Sequence, residues 1–294
     1  GLLKTHRGRW YLSTEVDYPA EAINIRSTSS TNYVIVLEGS GVVLETIEEA
    51  TAFFQVHPGA VYLHKGDPYL ITELDLDARI AYAVPTDVNY YTQPMDVTDI
   101  RVAKVRRQRR VGSVTAYLGW VEVSNIVTGF KRKAQITEEV ISEEALDLPP
   151  RVFQTTALWF DIPPGATERI LKAEGDFPGA LHAAEHTAIG ILPMFALCDR
   201  NDIGGLSTPL HPDTGRPQVF IYDGHPGGIG ITEKGYELME ELWQATLRTL
   251  GECPRELGCP SCVQSPKCGN NNEPLDKAAA EVLLQELLQE PARC

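Results

Sequence analysis

The chain has 294 residues, 43% hydrophobic and 22% charged, a balance that fits a packed protein of about two domains. No apolar run reaches the roughly 18 residues that a membrane-crossing helix needs, and the opening "GLLKTHRGRWYLS" is polar and basic, unlike a secretion signal. A net charge of −14 argues against nonspecific nucleic-acid binding by the whole surface.

In chain order, the first half reads mainly as strands. "NYVIVLEGSGVVLETI" (32–47) places two β-rich runs around Gly39-Ser40-Gly41, a hairpin signal. "EEATAFFQV" (48–56) predicts a short helix, and 59–85 predicts two or three strands with a turn at Gly66-Asp67-Pro68. In residues 100–134 apolar and polar side chains partly alternate, and β-branched and aromatic types abound. The acidic stretch "TEEVISEEALDLPP" (137–150), ending in two prolines, predicts a subdomain boundary. The second half alternates element types: a strand at 151–163, a helix from about Pro178 to Leu197, a strand at 217–223, a single amphipathic helix at 231–250 and a helix at 275–290. The expected fold class is α+β, a small barrel or curved antiparallel sheet followed by a mixed α/β part carrying a four-cysteine site. Expected boundaries lie at 1–17, 18–148 and 149–294.

Charge is unevenly spread. Residues 98–134 hold nine basic side chains against two acidic ones, Asp99 and Glu122, a local balance of +7. Lys104, Arg106, Arg107, Arg109, Arg110, Lys131, Arg132 and Lys133 are the candidate DNA contacts. Together with Tyr117 and Trp120 they suit a groove that follows single-stranded DNA. A solvated sheet face is the other reading of the same charges.

Four of the six cysteines crowd into "CPRELGCPSCVQSPKC": Cys253, Cys259, Cys262 and Cys268, spaced C-x5-C-x2-C-x5-C. The clustering resembles a metal site in a reducing compartment rather than a disulfide scaffold. Four thiolates favour Zn²⁺ in a closed, structural shell that ties the loop between two helices.

Two further segments carry polar residues of interest. "LHAAEHTAIG" (181–190) contains His182, Glu185 and His186 in the H-x-x-E-H order of inverted zinc peptidases. Its helix is apolar nearly all round, which predicts burial and favours an internal polar cluster over a catalytic metal. Asp223 and His225, in "IYDGHPGGIG", are candidate partners in that cluster. The glycines of that loop favour a tight strand-to-helix turn, with anion binding at the following helix as the alternative.

"YPAEAINIRS" (18–27), "HPGAVYLHKG" (57–66), "LHAAEHTAIGILPMFALCDRNDIGG" (181–205), "IYDGHPGGIGI" (221–231) and "CPRELGCPSCVQSPKCGNNNEPLDK" (253–277) together resemble the C-terminal half of the mitomycin repair factor A (YprA-like) DNA helicases. The resemblance implies a parent enzyme that is an ATP-dependent, 3′-to-5′ superfamily 2 helicase in DNA damage repair. It also implies upstream RecA-like motor domains in the same chain, a winged-helix domain whose tail is residues 1–17, and zinc on the four cysteines. The chain has no Walker A and no D-E-x-H sequence, so ATP and Mg²⁺ are expected only through the motor domains, and no ATPase activity is expected of this stretch alone. It is read as a fragment of a longer cytoplasmic, nucleoid-associated protein that helps hold or guide single-stranded DNA and has no membrane partner. A zinc hydrolase using His182, Glu185 and His186, or a scaffold without DNA contact, are the competing expectations.

Overall fold

The computed structural model describes residues 3–12 and 31–289. "YPAEAINIRS" and Cys294 lie outside the described residues, as does the boundary expected between residues 17 and 18. Strands β1 (Leu3–His6) and β2 (Arg9–Leu12) form an antiparallel hairpin.

A five-stranded sheet follows. It is built from β3 (Asn32–Leu37), β4 (Val43–Glu48), β5 (Val61–His64), β6 (Asp67–Asp75) and β7 (Ile80–Pro85), in the order β4-β3-β7-β6-β5. Among the described residues only the β3–β7 pair is parallel. Helix α1 (Glu49–Gln55) buries Ala52 and Phe53 in a core with Tyr33, Ile35, Ile71 and Ala81. Val127, from the next sheet, completes that core.

The second sheet begins with an unusually long hairpin, β8 (Tyr90–Val111, 22 residues) and β9 (Val114–Ala134, 21 residues). At ~3.3 Å per residue a straight strand of that length would reach roughly 70 Å. Register shifts at Met95/Asp96, Val102/Lys104 and Val105/Arg107 bend it instead. The turn has two residues, Gly112 and Ser113. At Gly112 φ is +51°, and a Cβ would stand 1.9 Å from the Leu287 carbonyl oxygen, so only glycine fits.

Beside β9 lie β10 (Val140–Ala145) and β11 (Arg151–Asp161), then β13 (Gln218–Asp223) and β12 (Ile203–Thr208). The acidic stretch at 137–150 therefore contains a strand, and strands from both sides of Pro149-Pro150 share one sheet. Side chains of β11 and β13 alternate between two cores, as the pleat requires. Leu158, Phe160, Val219 and Ile221 face the helices, whereas Trp159, Phe220 and Tyr222 face the other side. There Tyr117, Trp159 and Phe220 stack in series, with ring centroids 5.4 and 5.5 Å apart.

The helical layer comprises α2 (Pro164–Lys172), α3 (Phe177–Ile191), α4 (Pro193–Ala196), α5 (Ile231–Glu237), α6 (Met239–Glu252) and α7 (Lys277–Leu287). The predicted helix at 178–197 ends early because Pro193 cannot continue it. The predicted helix at 231–250 is two helices that break at Leu238. Helix α3 packs between β12–β13 and α6–α7, and twelve of its fifteen residues are buried. This is the burial that its all-round apolar surface predicts.

Candidate metal centre

Helix α6 ends at Cys253, and the chain turns so that Cys262 N–H donates to the Cys259 carbonyl at 3.0 Å. The turn brings three sulfurs together: Cys253–Cys259 3.8 Å, Cys259–Cys262 3.8 Å and Cys262–Cys253 3.5 Å. Zinc–sulfur bonds of ~2.3 Å in a tetrahedron place ligand sulfurs about 3.8 Å apart, so the triad fits zinc in both donor type and spacing. The backbone N–H of Ser261, with the neighbouring thiols, lowers the Cys259 thiol to about 7, toward the thiolate that a metal binds. Lys277, at the start of α7, fixes the loop by donating to the carbonyls of Cys253 (2.7 Å) and Arg255 (3.1 Å).

Cys268 is elsewhere. Its Sγ lies 3.5 Å from Nε2 of His182 and accepts from the Asn272 N–H at 3.2 Å. Together with His186 it forms a second group whose ligand atoms all lie within 4.8 Å of one another. The two histidines, one turn apart on α3, have ring centroids 4.2 Å apart. Burial lowers the pKa of both, and that of His186, with His182 alongside, falls to about 4.

The other polar residues of interest separate from this pair. Glu185 is held by Ser207 of β12, and burial raises its pKa to about 7. It packs against Gly205, where a Cβ would come within 2.4 Å of Glu185 Oε1. A peptidase would need this carboxylate beside the metal as base, and the group around Cys268 does not include it. Asp223 is fully buried and accepts from the backbone N–H groups of Ile229, Gly230, Ile231 and Thr232. The glycine-rich loop is thus an anion cradle that the chain fills with its own carboxylate. His225 pairs with Asp202 at 2.9 Å. The spacing pointed to one cluster; the fold divides it into four local arrangements.

The basic segment forms two patches. Lys104 stands opposite Trp120, and from there to Lys131 along β9 is roughly 35 Å at ~3.3 Å per residue. Near the hairpin turn, Arg106 pairs with Glu233 (3.2 Å) and Arg107 with Glu237 (3.8 Å). Arg109 donates to the carbonyls of Tyr236 (2.7 Å) and Glu237 (3.0 Å), and Arg110 to that of Ser113 (2.6 Å). At the far end Lys131 meets Glu143, Arg132 meets Glu144, and Lys133 donates to Asn271. Sequence reasoning missed these acidic partners because α5 lies more than a hundred residues further along the chain and the stretch holding β10 was read as a boundary rather than a strand. It also missed the link between Cys268 and the histidines, although two histidines four apart on one helix face were the signal for it.

A cysteine triad on a loop between two helices, packed beneath a mixed helix-and-sheet layer, defines a zinc-binding α+β unit. The model of the MrfA Zn-binding domain matches residues 184–263, which contain all three clustered cysteines. The ATP-dependent helicase YprA of Bacillus subtilis is 32% identical over 265 residues, covering 89% of this chain and 35% of that protein. The ATP-dependent helicase HRQ1 of Saccharomyces cerevisiae is 28% identical over 285 residues, covering 92% and 26%. An uncharacterized protein of Methanocaldococcus jannaschii is 42% identical over 113 residues, 37% of this chain and 99% of that one. A crystal structure of the helicase MrfA bound to DNA superposes with a TM-score of 0.62 at 27% identity, over 97% of this chain and 38% of that one. The chain belongs to the MrfA family and corresponds to the C-terminal part of an MrfA-like helicase. It spans about a quarter to a third of the length of the curated helicases that it matches.

Proposed function

We propose that this chain is the accessory region of an ATP-dependent, 3′-to-5′ DNA helicase of damage repair. Zinc at Cys253, Cys259 and Cys262 holds its C-terminal module, and the basic edge of β8 helps hold or guide single-stranded DNA. RecA-like motor domains of the same protein supply ATP and Mg²⁺ chemistry; this stretch has neither Walker A nor D-E-x-H residues and hydrolyses no ATP alone. The observation that carries the reading is the fold likeness to a DNA-bound MrfA over 97% of the chain. Between the two basic patches, β8 is the better DNA face. Lys131 and Arg132 are largely covered where they meet the carboxylates of β10, whereas Lys104, Arg107 and Arg110 stay exposed on an edge strand, Arg107 even where it meets Glu237.

Single-stranded DNA affinity measured across a salt series tests this. Lys104, Arg107 and Arg110 are reversed to Glu together, leaving Arg106 and Arg109, which make the shorter bonds to α5. Loss of three phosphate contacts should weaken binding and flatten the log–log salt slope by about 2. Unchanged affinity and slope would remove DNA from the proposal and leave a scaffold.

A further inference from the structure

We propose that a cavity at the edge of the second sheet takes one unstacked base of single-stranded DNA, a reading that rests on the DNA-guiding role of β8 given above. Val102 and Val105 of β8, Tyr117 and Trp159 of the sheet, and Thr214 and Arg216 of the loop between β12 and β13 line a cavity of about 270 Å³. That size lies just below the range of pockets for drug-sized ligands, so it suits a single base and not a run of them. Two hydrogen bonds strap the loop to β8 and fix the cavity wall. The Val102 N–H donates to Asp213 Oδ2 at 2.8 Å, and Nε2 of the buried His211 donates to the Ile100 carbonyl at 3.0 Å. The cavity is therefore built before any ligand arrives, which lowers the ordering cost of binding.

The lining has the chemistry of base recognition. Trp159 is 2% exposed and stacks on Tyr117, with ring centroids 5.4 Å apart and planes 12° from parallel. Tyr117 is only half-buried, so the stack presents ring surface on which a flat base continues it. Asp161 accepts from the Tyr117 hydroxyl (3.0 Å), Arg216 (3.1 Å) and Gln218 (2.8 Å), which holds the phenol and the guanidinium in place. Arg216 makes no other hydrogen bond among the described residues, which leaves N–H groups for the acceptor edge of a base. Its charge is already answered by Asp161, so the cavity favours a neutral ring over a bare phosphate. The phosphate has its own partner: Lys104 stands exposed on β8 beside Val105. A strand whose phosphate meets Lys104 has the attached base at the cavity mouth.

Two oligonucleotides of equal length and backbone charge separate the base from the phosphates: oligothymidine and a tract of abasic tetrahydrofuran units. The full chain should bind oligothymidine at least about fivefold more tightly, the equivalent of one stacked base. Val105→Trp fills the cavity from a position that is 43% exposed, and should abolish that preference while leaving the abasic affinity as it was. Iodouracil placed in the oligonucleotide should photocrosslink to Tyr117. Equal, salt-dependent binding of the two oligonucleotides overturns the base pocket and leaves the phosphate-guiding role of β8 standing, whereas no salt-dependent binding of either overturns both. A preference that survives Val105→Trp, or crosslinks confined to Trp10 or Trp120, puts the base elsewhere and overturns the pocket as well. The oligonucleotide comparison and the crosslink use the unmutated chain, so they decide the matter even where the variant fails to fold.

Discussion

Asp223 Oδ1 accepts the backbone N–H of Thr232 at 2.9 Å, while its Oδ2 takes Ile229, Gly230 and Ile231 at 2.6, 2.9 and 3.3 Å. A fully buried carboxylate therefore satisfies the donors at the start of α5. Asp223→Asn keeps the shape but removes the charge, and should cost about 1–3 kcal/mol in urea unfolding. Asp223→Ala leaves several donors buried without a partner and should cost more. The wild-type melting temperature should not rise with added inorganic phosphate; a rise would mean that the loop still has room for an outside anion.

Chelation should act locally. The triad closes the loop that starts at Cys253, and Lys277 binds the same loop through the Cys253 carbonyl. Removing zinc should accelerate amide exchange over 253–276 by at least about tenfold, equivalent to about 1.4 kcal/mol of local stability. The core around Tyr33 and Ile35 belongs to the other sheet and should exchange as before. Cys259→Ser should reproduce the pattern without chelator. Equal exchange with and without zinc would remove its structural role.

These relationships differ in how far the sequence reveals them. Partial period-2 alternation marked 100–134 as β structure, which covers β9 and the second half of β8 but not Tyr90 to Asp99, and Gly39-Ser40-Gly41 located the β3–β4 hairpin, because those signals are local. Strand β12 gave none. Its "IGGLST" carries two glycines because the Tyr222 ring and the Glu185 carboxyl occupy the space where their Cβ atoms would go. Helix α2 is amphipathic but only nine residues long, shorter than the window over which helical periodicity is read. The cysteine cluster was legible as a metal site, but the partition of its members was not. Cys268 meets His182 across 86 positions, and only the fold makes that contact.

Arg109 illustrates the same limit and gives a stability prediction. In the sequence it is one charge in a basic run; in the fold its guanidinium stands 5.2 Å above the Tyr236 ring and caps the carbonyls that end α5. Arg109→Ala should destabilise the protein by about 1–3 kcal/mol, because two carbonyls lose a charged donor. Arg109→Lys should recover only part, since one ammonium does not reproduce the planar fork. Lys104→Ala on the same edge should stay within about 0.5 kcal/mol. Equal losses at 104 and 109, measured by chemical denaturation, would contradict this division between folding and surface charge.

His57 sets a pH dependence in the first sheet. It is fully buried, its ring lies 4.6 Å from that of Phe130, and Nδ1 donates to the Pro58 carbonyl at 3.0 Å. Among the described residues its Nε2 has no hydrogen-bond partner. Burial lowers its pKa below the ordinary 6.5, with the Pro58 carbonyl opposing in part. As pH falls through 6.5 the unfolded chain takes up a proton that the folded chain refuses, so stability present above that pH is lost below it. His57→Phe removes the proton uptake and the unsatisfied nitrogen together. Melting temperatures followed from about pH 7.5 down to about pH 5 should then fall less steeply for the variant than for the wild type. Parallel curves would show that His57 contributes nothing to the acid limb.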